Sequence, residues 1–356
     1  VFTPWLNDPA GEATEDHMVT LAEVARRAGV SPSTVSYVLS RKRSISEETR
    51  QKVEEAIETL GYHPHAGARA LASNRSNILA LMVPLRSDMY VPVIMEIAMA
   101  VTTEAREFGY DVLLLTKDEG TKGVQRIAGS GLADALIMMD IELDDERIPA
   151  LRESSAPAVL IGLPAEPAGL ACVDLDFEAT GAICVDHLAQ LGHRDIVLIG
   201  EGEGVYRRHT GFAARTLAGF RHRSGQLGLR AVHRSCEGTY ESTAGTYARI
   251  LEERPSTTGF VVQNEAAIGP LLSLLRQSGR TVPEDTSVVA ICPDQVALQS
   301  SPRLTSVSIP AEQMGRQAVR LAVAQLGGER VASVELIPPV LTVRESSVRV
   351  SAGAAR

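Results

Sequence analysis

Only four of the 356 residues are cysteine, Cys172, Cys184, Cys236 and Cys292; they lie far apart and form no C-x-x-C pair. This argues against a structural zinc site and fits a reducing cytoplasm, since three of them sit in or beside apolar stretches where cysteine behaves as a small hydrophobe. Long apolar runs are also missing. The longest, "ILALMV" and "ALIMM", have strand length, well short of the ~18 residues of a spanning helix. Residues 1–17 carry four acids, no basic residue and no apolar core before a small-residue cleavage site, so they do not read as a signal peptide. They are expected to be a disordered leader ahead of Met18. Catalytic signatures are scarce. Neither G-x-S-x-G nor H-E-x-x-H occurs. "GEGEG" after an apolar run imitates a dinucleotide loop, but Gly200, Gly202 and Gly204 lack the third glycine at the required offset, and no helix is expected to start at once. His63 and His65 flank Pro64 without further ligands, a poor metal site. No metal, no cofactor and no enzymatic activity are expected.

What is present is ordinary globular composition, 44% hydrophobic and 22% charged, in a chain long enough for two or three compact units. The net charge of −9 is uneven. Residues 18–75 hold nine Lys or Arg against six Glu, a net of +3, whereas the leader carries −4 and residues 76–356 the remaining −8. A basic module on an acidic body suits a nucleic-acid binder, because phosphates must be neutralised locally while the rest of the molecule is repelled.

The basic segment reads as three helices. Thr20 and Glu23 have capping-box spacing, Leu21, Val24, Ala25 and Ala28 recur at helical period, and Gly29 is a stop. Ser31 caps a second helix with Pro32 at its first position, and Val35, Val38 and Leu39 make its apolar face. "SISEETRQKVEEAIETLGY" is the third, started at Ser46 and ended by Gly61. Two short helices around a glycine turn with a third behind meet the requirements of a helix-turn-helix. The outer face of the second presents Ser31, Ser33, Thr34, Ser36 and Tyr37, with Arg41, Lys42 and Arg43 beyond to reach phosphates.

From Ile78 onward, short apolar runs such as "ILALMV", "YDVLLLT", "ADALIMM", "DIVLIG" and "DTSVVAIC" alternate with helical stretches. This is the pattern of buried parallel strands with helical crossovers, and it predicts an α/β class: two doubly wound parallel-sheet lobes of similar size, with the closing segments crossing between them. A ligand then belongs in the cleft, at the C-terminal ends of the strands.

The stretch "VTLAEVARRAGVSPSTVSYVLSRKRSISEETRQKVEEAIETLGYHPHAGARALA" resembles the N-terminus of the LacI/GalR family of bacterial transcriptional regulators, and the likeness continues through "HLAQLGHRDIVLIG", "GFVVQNEAAIG", "PRLTSVSIP" and "LTVRES", to residue 347. The resemblance implies a periplasmic-binding-protein-like body behind a DNA-binding domain. It divides the chain into a helix-turn-helix at 18–63, a hinge at 64–77, an N-lobe of 78–175 and 307–334, a C-lobe of 176–306 and 335–347, and a tail at 348–356. It implies that Thr20, Ser31 and Thr34 contact DNA, with Pro32, Ser33 and Tyr37 at the base-reading positions. Tyr37 replaces an arginine frequent there, and tyrosine cannot make the bidentate contact to guanine. In the hinge, Ala66 to Ala72 are too few to hold an isolated helix. The resemblance makes Leu71 the apolar wedge that enters the minor groove of operator DNA, with Arg69 beside it and His65 where the family usually has asparagine.

The implied effector cleft departs more. Thr216 stands where an arginine is usual, with Arg215 one residue earlier; Cys292 replaces an aspartate, with Asp294 two residues on; Glu265 follows Asn264; and Gly162 takes another position often held by Asp. Fewer carboxylates for sugar hydroxyls are therefore expected. The candidate wall residues are Arg86, Asp88, Tyr90, Arg215, Asn264 and Asp294. The implied function is a cytoplasmic, homodimeric, ligand-responsive repressor on a near-palindromic operator, its effector a sugar or related metabolite. No leucine heptad follows Arg344, so the tetramerising tail of some members is not expected. An exported solute-binding protein would need an export signal and lack the basic module, and a doubly wound enzyme would need a catalytic constellation.

Overall fold

The computed structural model describes residues 19–40, 45–62, 75–331 and 333–350, and the chain divides into two compact units at Ser76. Arg41, Lys42, Arg43, His65, Arg69 and Leu71 lie outside the described residues.

The first unit contains helices α1 (Leu21–Ala28), α2 (Pro32–Ser40) and α3 (Glu47–Leu60). Each boundary has a local cause. Thr20 and Glu23 close the capping box in both directions. Gly29 ends α1 at φ +68, a conformation open to glycine at no steric cost. Ser46 caps α3 and Gly61 ends it in the same left-handed conformation as Gly29. The helices enclose one core in which Val24, Val35 and Val53 are fully buried, flanked by Ala25, Ala56 and Tyr62.

The second unit has two six-stranded sheets. The first contains β1 (Ile78–Met82), β2 (Asp111–Leu115), β3 (Ala135–Met138), β4 (Ala158–Ile161), β5 (Ala171–Leu175) and β11 (Val334–Ile337), in the order β11-β5-β4-β3-β1-β2. The second contains β6 (Asp195–Gly200), β7 (Arg230–Ser235), β8 (Gly259–Val262), β9 (Ser287–Ile291), β10 (Thr305–Val307) and β12 (Leu341–Thr342), in the order β12-β10-β9-β8-β6-β7. Every pairing is parallel except β10 with β12. Helices cover both faces, among them α4 (Val91–Glu107), α5 (Gly120–Ser130) and α6 (Ile148–Glu153) in the first lobe. The second lobe carries α7 (Phe177–Gln190), α8 (Glu203–Arg207), α9 (Gly211–Gln226), α10 (Tyr240–Glu253), α11 (Glu265–Gln277) and α12 (Asp294–Gln299). Helix α13 (Ala311–Leu326) returns to pack on α4, where a Cβ on Gly315 would lie 2.8 Å from Ile97 O. Such two-sided cover is why the strands read as unbroken apolar runs.

The structure moves two expected lobe boundaries. Val307 ends β10 in the second sheet, and Glu335 to Ile337 pair with Val173 to Leu175 in the first. The chain therefore crosses after Ile337, where Pro338 and Pro339 follow; with no N–H to donate they cannot continue a ladder. The first residues of the expected tail are tied down, since Val350 N donates to Leu191 O at 2.9 Å. A one-turn helix, α8, does start at Glu203 behind the "GEGEG" strand end, contrary to expectation, because Gly202 in extended conformation serves as its N-cap. No described helix is long and apolar enough to cross a membrane.

Candidate functional site

Two places gather the residues singled out from the sequence, one in each unit. In the first unit, Val35 faces the core while Ser31, Pro32, Ser33 and Tyr37 are exposed, so α2 has one anchored and one outward side. Ser33 and Tyr37 are four apart and share a face. Ser31 Oγ accepts the Thr34 amide at 3.1 Å and lies 2.8 Å from the Thr34 hydroxyl, which holds both groups at the helix start. Thr20 stands at the start of α1, its amide donating to Glu23 Oε2 at 2.7 Å.

In the second unit, a cavity of about 950 Å³, its open mouth included, lies between the lobes. Strand ends from both sheets supply its walls: Met139 and Asp140 after β3, Gly162 after β4, Asp174 in β5, Glu201 after β6 and Gln263 after β8. Apolar groups cover much of the rest, notably Tyr90, Ile94, Met314 and the tilted pair Phe177 and Phe212, whose ring centroids are 5.7 Å apart. This is the crevice at carboxyl ends of strands where doubly wound folds bind ligands.

Of the six cleft residues expected, Asp88 and Tyr90 line the cavity. Arg86 is one contact behind it, bonded to the Asp140 carboxylate and, at 2.8 Å, to Asp118. Arg215, Asn264 and Asp294 do not line it. Arg215 turns away to donate to the carbonyls of Leu163 and Pro164 at 3.3 and 3.1 Å. Asn264 is the N-cap of α11 and also donates to Cys236 O at 2.7 Å, so both ends of its amide are engaged in holding the fold. Asp294 pairs with Arg344 at 2.8 Å on another surface. Gly162 has a steric reason: at φ +131, a Cβ there would lie 2.8 Å from Ile141 Cβ.

Carboxylates are nonetheless not few. Asp140, Asp174, Glu201 and Glu265 join Asp88 in the wall; of these four, only Glu265 is among the cleft positions noted from the sequence. The signal that finds most of them is position immediately after, or at the end of, an apolar strand run. Asp174 is buried; its Oδ1 accepts the Leu175 amide at 3.0 Å, while Oδ2 has no partner among the described residues. Burial pushes its carboxyl up to about 8. Glu265, the first residue of α11, is likewise pushed up to about 8 by burial. Burial, and next the neighbouring charge of Glu265, raise Glu201 well above the usual range. Asp140 is raised by burial against the opposing pull of Arg86 and Arg208. Arg208, just past α8, donates Nη1 to Asp88 Oδ2 at 2.8 Å and lies 3.7 Å from Glu142, so it joins the second lobe to the first.

A family model described as bacterial regulatory proteins, lacI family, matches residues 20–65, and one for a periplasmic binding protein-like domain matches residues 185–347. The HTH-type transcriptional regulator CelR of Thermobifida fusca is 30% identical over 343 residues, which cover 92% of this chain and 98% of that protein. Catabolite control protein A of Priestia megaterium is 28% identical, covering 92% and 99%. Among solved structures, the CelR–cellobiose complex is 29% identical with a TM-score of 0.65 over 92% of this chain and 99% of that one. The lac repressor dimer bound to operator and the anti-inducer ONPF, 24% identical, agrees in fold with a TM-score of 0.81 over 93% and 99%. With helix-turn-helix and two-lobed body matched along nearly the whole length of a 30% identical relative, the chain belongs to the LacI family, transcriptional regulators that join a DNA-binding domain to an effector-binding domain.

Proposed function

We propose that this chain is a cytoplasmic repressor that binds a near-palindromic operator as a homodimer, and that a small molecule between the lobes sets its operator affinity. The observation that carries the reading is the outward face of α2, where Ser33 and Tyr37 stand exposed on a helix fixed by Val35 and by the Ser31 cap. Side chains of this kind hydrogen-bond to base edges or phosphates in a major groove. Thr20, Ser31, Pro32 and Thr34 belong to the same proposed contact, as do Arg41, Lys42, Arg43, His65, Arg69 and Leu71.

A second copy is favoured by α4, on which Val91, Met95 and Met99, four residues apart in turn, are 45, 41 and 61% exposed. Such a stripe is more apolar than solvent-facing helices usually present. A dimer offers two recognition helices to successive turns of the groove and so demands a two-fold symmetric site. The proposed effector pocket is the interlobe cavity, with Asp88 and Tyr90 in direct contact and Arg86 acting through Asp140. A relative solved with cellobiose supports a sugar or related metabolite as the ligand class. Ligand bound to both lobes shifts their relative orientation, and linkage carries that shift to DNA affinity. Sedimentation velocity of the full chain on an operator duplex tests the reading. Two protomers per duplex are expected, and a single protomer at saturation contradicts it.

A further inference from the structure

The cavity gathers more carboxyl groups than the protein supplies paired cations for. Asp88 is matched by Arg208 and Asp140 by Arg86. Asp174, Glu201 and Glu265 have no Lys, Arg or His partner within ion-pair distance among the described residues, although Asp174 and Glu201 are only 2 and 6% exposed. Asp174 Oδ2 is both buried and without a hydrogen-bond partner, and the amide nitrogen of Gln263 in the same wall is in the same condition. Groups like these are paired in most folded proteins, so two of them facing one cavity leave room there for a water or a ligand to complete the pairing. Desolvation raises the protonation range of all three carboxyls, and a bound cation would favour their ionised form.

Resting on the reading of this cavity as the effector site, we propose that its ligand is an organic cation: a protonated primary amine on a compact body with an apolar face, such as an amino sugar or an arylalkylamine. The ammonium is held at Glu201 and Glu265, which are close enough to perturb one another, and Asp174 accepts a further N–H or O–H from the first lobe. Phe177, Phe212 and Tyr90 take the apolar face. Three alternatives are disfavoured on the same observations. A neutral polyol donates hydrogen bonds but does not stabilise the ionised form of these carboxyls. An anion meets uncompensated carboxylates, while Arg86 and Arg208 are already engaged. A metal ion finds no group of three ligating side chains gathered to hold it among the described residues. The arrangement also links binding to closure. Asp174 belongs to the first sheet, while Glu201 and Glu265 follow strands of the second, so one cation that draws protons off these carboxyls attracts both lobes.

Calorimetric titration of the full chain with two matched pairs, glucosamine against glucose and 2-phenylethylamine against 2-phenylethanol, tests the proposal. In at least one pair the amine is expected to bind tenfold or more tightly than its neutral partner, and Glu201→Gln and Glu265→Gln each to reduce that preference about tenfold. Neutral partners that bind as well as the amines, or amines that do not bind at all, overturn it. Val93→Trp, which fills the cavity wall, separates this failure from that of the effector reading. If binding is lost in Val93→Trp yet amine and neutral partner are equal, only the cation assignment falls. If binding persists in that variant, the ligand sits elsewhere and both fall.

Discussion

Arg208 is the place where the arrangement of the two lobes should be most sensitive to a single side chain. Its guanidinium meets Asp88 through Nη1 and Nη2 at 2.8 and 3.3 Å, a bidentate fork, with Glu142 at 3.7 Å. The side chains of Arg208 and Asp88 are 25 and 17% exposed, so solvent screens the pair only partly. A partly buried, charge-assisted fork of this kind stabilises by about 2 kcal/mol, which corresponds to roughly a 30-fold shift in a two-state equilibrium. The loss in Arg208→Ala should exceed that in Asp88→Asn, because the first leaves Asp88 unpaired beside Asp140 and Glu201 while the second removes a negative charge from the cavity. All four native cysteines are buried, so one introduced cysteine per lobe, at Lys117 and at Glu241, accepts dyes for energy transfer. Single-molecule traces of the ligand-free protein should show the open population rising by that factor in Arg208→Ala. The double variant should add little to it. A coupling energy below about 0.5 kcal/mol in the resulting double-mutant cycle would refute the reasoning.

Other consequences are as specific. A Cβ at Gly219 would stand 1.9 Å from Glu178 O, backbone that cannot move without parting α7 from α9; Gly219→Ala should destabilise the two-lobed unit by about 3 kcal/mol in chemical denaturation, and a loss under about 0.5 kcal/mol would show that the helices are free to separate. Asp174 holds its proton up to about 8 in the native state but releases it near 3.9 when unfolded, so between those values the native state binds the extra proton and stability falls as pH rises. The melting temperature should therefore drop from pH 5 to pH 8, and Asp174→Asn should flatten that slope; an unchanged slope contradicts the assignment. Tyr37→Arg should gain affinity for half-sites with guanine at the contacted base by about 1–3 kcal/mol, measured by anisotropy, and equal affinity for all four bases would remove Tyr37 from the reading face. Leu71→Ala should keep fold and ligand binding yet abolish operator bending in a gel-phasing assay, with unchanged bending as the adverse result.

The three-helix unit was legible almost residue by residue, because its signals are local. Thr20 with Glu23, Ser46, Gly29 and Gly61 each act within one turn of where they stand. Strand positions were legible for a similar reason, since burial on both faces leaves an apolar run. Strand order and lobe membership depend on partners far away in sequence. Nothing local in "VELI" tells that it pairs with β5, and only the two prolines after it mark the crossing. The cavity was the least legible part. Asp174 is hidden inside the apolar run "ACVDL", and Glu201 lies in the glycine-rich stretch set aside as a false dinucleotide loop. Asn264 and Arg215 drew attention through their place in the family resemblance, but their side chains are engaged in capping a helix and holding a loop.

The central claim, that this chain reads a symmetric DNA site, is tested most directly by selecting duplexes from a random pool with the full-length protein. Enrichment of a near-palindrome, with half-site centres separated by about one helical turn or a multiple of it, is the expected result. A pool that stays unenriched, or that yields only unsymmetric sites, would contradict it.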